Sequence, residues 1–182
     1  MEPAIGLLEF NSIAAGIQAG DAMVKKALVE LLDARPVCPG KFIVLITGDV
    51  DAVTESMRAG EETGGDAVVD KLLLPNVHLS LFPAIAGAVE ADYVEALGII
   101  ETVTVATTIV AADAAAKAAD VLLTEIRLAN GLGGKSFVLM IGDVSNVEAS
   151  VAAGTLLAKE QGLLVRSVVI PSLHEDMRQK LC

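Results

Sequence analysis

The chain has 182 residues, a formal net charge of −11 and 53% hydrophobic residues, with aromatics at only 3% and a mean hydropathy of +0.61. An acidic chain without a lysine and arginine cluster repels polyanions, so a nucleic-acid partner is not expected. Two cysteines, and no basic stretch ahead of an apolar run at the N-terminus, argue against a secreted disulfide scaffold; Cys182 ends the sequence.

The first predicted element is a strand over Ile5 to Phe10. Asn11 and Ser12 then offer an N-cap for a helix over Ile13 to Lys26, whose apolar residues recur at helical spacing. Leu28 to Leu32 reads as a second strand, Pro36 to Gly40 as a rigid loop and Phe42 to Ile46 as a third strand. Asp49 is placed to cap a helix over Val50 to about Thr63, and Ala67 to Leu74 reads as a fourth strand. From Leu72 to Val89 there is no charge, which raises the question of a membrane span. Pro75, Asn76, His78, Pro83 and Gly87 within it fit a strand, a turn and a short helix better, and no membrane association is expected. Pro83 to Ala91 reads as a bridge. The same order then returns: a strand near 94–101, a helix over 104–118, strands over 121–128 and 136–141, a helix over 144–160 and a strand over 163–170.

The return is also visible residue by residue. Ala4-Ile5-Gly6-Leu7-Leu8-Glu9 is answered by Ala96-Leu97-Gly98-Ile99-Ile100-Glu101, Asp21-Ala22 by Asp113-Ala114, Lys25 by Lys117 and Arg35 by Arg127. Gly48-Asp49-Val50 matches Gly142-Asp143-Val144, and Pro75 to His78 matches Pro171 to His174. This is a tandem duplication, which predicts two α+β domains over residues 1–90 and 91–182. Each holds a four-stranded, mainly antiparallel sheet with helices on one face. The apolar content exceeds what two cores of about ninety residues need, so a permanent oligomer is expected. Against the duplication stands one asymmetry: Cys38 in the first copy faces Asn130 in the second.

These blocks, in this order and in both copies, resemble the bacterial microcompartment shell proteins. The tandem arrangement with Cys38 in a Pro-Val-Cys-Pro-Gly loop is similar to the T-type shell proteins of propanediol-utilisation compartments. The resemblance implies a homotrimer whose six domains imitate a hexamer and tile, with other shell proteins, around enzymes in the cytoplasm. It also implies that the loop of Val37, Cys38, Pro39 and Gly40 lines a central pore, where Cys38 binds an iron-sulfur cluster. Electrons would then cross the shell to redox enzymes in the lumen. Lys25 and Lys117 match a lysine that lies at the tile edge in that family. The residue after the late proline, often arginine in relatives, is Asn76 in one copy and Ser172 in the other, and the loss of that planar donor bears on how the tile self-assembles.

Cys38 alone cannot supply the three or four thiolates that such a cluster needs. A threefold axis changes the count, because a residue beside it occurs three times. A [4Fe-4S] cluster shared by three chains would then leave one iron without a protein ligand. Pro36 and Pro39 restrict the loop that would carry the thiolate. A lone cysteine is, however, commonly an inert packing residue, so a passive tile with a metabolite-conducting pore is the alternative. A duplicated ferredoxin-like unit that senses a small ligand is a third reading.

Other candidates have plainer accounts. Ala129 to Ser136 fits a loose phosphate-loop pattern, yet a strand is predicted from Phe137 where a helix would be needed. His78 and His174 occupy matching positions and can cap a helix as readily as bind a ligand. Glu9 and Glu101 lack a third group that would make either a general base. Asp49 and Asp143 read as helix caps. With no nucleophile, base and orienting acid aligned, no enzyme is expected.

Overall fold

The computed structural model describes residues 3–87, 89 and 95–181. The expected domain boundary at 90/91, the far end of the bridge at Ala91 and the terminal Cys182 lie outside the described residues. The chain forms two compact units, one ending at Val77 and the other starting at His78.

The first unit comprises β1 (Ala4–Phe10), α1 (Ile13–Lys26), β2 (Glu30–Val37), β3 (Lys41–Gly48), α2 (Val50–Gly64), a single 3-10 turn (Gly65–Ala67) and β4 (Val68–Leu74). Its sheet runs β2-β3-β1-β4, and every pairing is antiparallel. Strand alternation sends Ala4, Leu8 and Phe10 of β1 and Phe42, Val44 and Ile46 of β3 toward the helices. There they meet Ala19 and Met23 of α1 and Val53 and Met57 of α2 in one core. The odd-numbered set Ile5, Leu7, Ile43 and Leu45 is equally buried, so the central strands are apolar on both faces.

The second unit contains α3 (Leu81–Ile85), β5 (Ala96–Thr102), α4 (Val105–Ala118), β6 (Leu122–Arg127), β7 (Ser136–Gly142), α5 (Val144–Glu160), β8 (Leu164–Ile170) and α6 (Glu175–Leu181). Its sheet order, β6-β7-β5-β8, repeats the first. The short α3, within the stretch assigned by sequence to residues 1–90, packs here against β6 and α4, with Leu81 and Ala84 buried. Among the described residues no helix is long and apolar enough to cross a membrane.

Close strand–helix packing explains the repeated Ile-Gly or Leu-Gly step. A Cβ on Gly6 would fall 2.7 Å from Cγ1 of Val53, and one on Gly98 would fall 2.8 Å from Cγ1 of Val147. The helix predicted over 13–26 is observed with those ends, because Ser12 Oγ accepts the N–H of Ala15 at 3.3 Å and caps it.

Two expectations need correction. The second strand is not Leu28 to Leu32 but Glu30–Val37, and Leu28 lies outside it, exposed. Pro36 and Val37, expected in a loop, pair with Phe42 and Lys41. An edge strand tolerates proline because the missing N–H need not serve a central ladder. Asp49 and Asp143 do occupy the N-cap positions of α2 and α5, but neither side chain makes a capping hydrogen bond.

Candidate functional site: the two hairpin loops

The duplicated hairpins β2–β3 and β6–β7 carry the main chemical difference between the copies. In the first, Val37 pairs with Lys41, so the turn is only Cys38, Pro39 and Gly40. The Cys38–Pro39 peptide is cis and Gly40 takes φ +77°, a conformation that glycine adopts without strain. Val37 ends the strand with its side chain buried, which anchors the turn instead of forming part of it. Cys38 is a free thiol, half-buried, and Pro39 and Gly40 beside it are exposed.

At the base of this turn Lys41 reaches across to the buried carboxylate of Glu9 on β1. The second copy repeats the contact, with Lys135 Nζ donating to Glu101 at 2.5 Å. Each lysine thus fixes the foot of its hairpin to the central strand. Sequence reading left the two glutamates without a partner, since the lysines lie more than thirty residues away and meet them only through strand register. The usable signal was the repetition of both residues at matching places.

The second loop is longer. The strand pairs Arg35 with Ile43 and Arg127 with Phe137 bracket residues 36–42 and 128–136, two more in the second copy. Ala129 is buried at φ +53°, and Asn130, which stands where the first copy has Cys38, is exposed. Gly131, Gly133 and Gly134 all take positive φ. The phosphate-loop pattern dissolves here: Lys135 engages Glu101, Ser136 Oγ accepts the N–H of Ala129, and Ser136 opens β7 rather than a helix.

Away from the loops, Lys25 and Lys117 sit in the last turns of α1 and α4, where a cation complements the helix dipole. Each reaches back one turn to an aspartate, Asp21 or Asp113, at 2.6 Å. His78 and His174 make local contacts: Nδ1 of His78 lies 2.7 Å from Ser80 Oγ, and Nδ1 of His174 accepts the N–H of Asp176 at 3.2 Å. Among the described residues no group of three or more His, Cys, Asp and Glu side chains is placed to hold a metal ion.

The BMC domain model matches this chain twice, over residues 4–77 and 96–173. The chain belongs to the BMC domain family of bacterial microcompartment shell proteins. It is 47% identical over 181 residues to the microcompartment shell protein PduT of Citrobacter freundii, covering all of this chain and 98% of that protein. A microcompartment protein from Desulfitobacterium hafniense has a solved structure that matches with a TM-score of 0.96 and 55% identity, over 98% of this chain and 99% of that one. A carboxysome shell protein of Hydrogenovibrio crunogenus is 34% identical over 86 residues, spanning 46% of this chain and 84% of its own length. Two BMC domains, each a four-stranded antiparallel sheet with helices, make this a tandem member of the family.

Proposed function

We propose that this protein is a structural tile of a microcompartment shell, built as a homotrimer, in which three copies of Cys38 hold one [4Fe-4S] cluster at the central pore. The observation that carries the reading is the half-buried free thiol of Cys38 on a three-residue turn found in one copy of the domain only. A chain with one such turn presents it three times around a threefold axis, not six.

The donor set fits a cluster only under that symmetry. One chain offers one thiolate at the turn, whereas iron-sulfur clusters are held by several. Val37, buried at the end of β2, and the contact between Lys41 and Glu9 hold the turn at both feet. When bound, the cluster supplies one-electron transfer, and the protein would pass electrons between the two sides of the shell. In this reading Lys25 and Lys117 face neighbouring tiles, other shell proteins complete the layer, and redox enzymes in the lumen are the electron partners. The role is structural and conductive rather than enzymatic.

Native mass spectrometry of protein prepared without oxygen tests the reading. Wild type should carry the mass of three chains plus one cluster, and Cys38→Ser that of three bare chains. A bare wild-type trimer would leave a passive tile with a cysteine-lined pore, and a cluster retained by Cys38→Ser would overturn the assignment of the ligand.

A further inference from the structure

The segment that follows β4 has a seat within its own chain, and the matching segment that follows β8 has none. In the second unit, α3 lies against β6 and α4, and the backbone N–H of His78 donates to Asp113 Oδ1 at 2.8 Å while Lys117 takes Oδ2 at 2.6 Å. Val105, Ile109, Ala116 and Leu123, on these elements, are all buried. The equivalent residues of the first unit, Ile13, Ile17, Val24 and Leu31, are all exposed. Ile17 is 57% exposed where Ile109 is 0%. The Asp21 side chain is 58% exposed where that of Asp113 is 7%, and Lys25 takes only its Oδ2.

The trailing segment of the second copy carries the matching groups. His174 corresponds to His78, Met177 to Leu81 and Leu181 to Ile85. Met177 is 51% exposed and Leu81 0%, and α6 buries none of its residues. A segment and a surface that pair in one half of a duplicated chain are both present, and both uncovered, in the other half.

We propose that residues 171–181 of one chain dock on α1 and β2 of a second copy, as 75–85 dock on α4 and β6 within the chain. The His174 N–H would donate to Asp21 Oδ1 of the neighbour, and Met177 and Leu181 would cover Ile13, Ile17, Val24 and Leu31. Each chain gives one segment and receives one, so the contact is head-to-tail and can close a ring. The inference rests on the reading of the chain as an oligomeric tile and names the residues that join its subunits.

The double variant Met177→Asp with Leu181→Asp tests it, since both side chains are exposed in the single chain and the fold does not depend on them. Burial of the two apolar groups predicts at least tenfold weaker association, read by sedimentation across a dilution series. Ile17→Asp, on the receiving surface, should weaken association by a similar factor. In hydrogen exchange, residues 171–181 and 13–26 should lose protection together in either variant. If wild type is itself a monomer at high concentration, the tile reading falls and this contact with it. If wild type is a trimer that these variants leave equally tight, with 171–181 unprotected throughout, the contact alone is overturned.

Discussion

Ser136 Oγ accepts a hydrogen bond from the backbone N–H of Ala129 at 3.1 Å, tying together the two ends of the longer hairpin loop. Both residues are buried, so Ser136→Ala leaves that N–H without its partner and without water. The expected cost is about 1–3 kcal/mol. Urea unfolding should show a lower midpoint with an unchanged slope.

The strand glycines predict a packing limit. Cβ positions on Gly6 and Gly98 fall within 3 Å of side-chain atoms from α2, α5 and β7, which are themselves buried. Gly98→Val should therefore destabilise by about 1–3 kcal/mol through overpacking. Leu122→Val, at a half-exposed place on β6, should change the thermal midpoint far less.

Helix caps separate by geometry. Ser12→Ala removes a capping hydrogen bond and should cost about 1 kcal/mol. Asp49→Ala and Asp143→Ala remove no such bond, so only the interaction with the helix dipole is lost, about 0.3–1 kcal/mol. Thermal melts of the three variants should rank in that order.

The two hairpin ion pairs should differ in the same direction as their burial. Lys135→Met leaves Glu101, which is partly exposed, to be solvated, and the loss should stay below about 1 kcal/mol. Lys41→Met leaves the buried Glu9 carboxylate uncompensated and should cost more, about 2–3 kcal/mol. Equilibrium unfolding of both variants checks the ranking.

These contrasts mark what a sequence can carry. The strand and helix order was legible because it is written twice, and because Ser12 and the short continuous apolar runs of β1 and β3 act locally. The end of β2 was misplaced because Pro36 signals a break, while its tolerance depends on an edge position that only the sheet order reveals. The helix Glu175–Leu181 is not legible in the sequence, since it spans only seven residues and its apolar pattern is the single i, i+4 pair Met177 and Leu181. Cys38 was identifiable as the difference between copies, but the shortness of its turn and the grip of Lys41 on Glu9 arise from register between distant strands.

The central claim is that Cys38 residues of three chains share one cluster, and the most direct measurement is an anaerobic absorption and EPR spectrum with iron and sulfide quantified per chain. The account predicts a broad absorption toward the blue and about four irons per three chains in wild type, both absent in Cys38→Ser. A colourless, iron-free trimer that stays so after reconstitution, or a spectrum unchanged by Cys38→Ser, would contradict it.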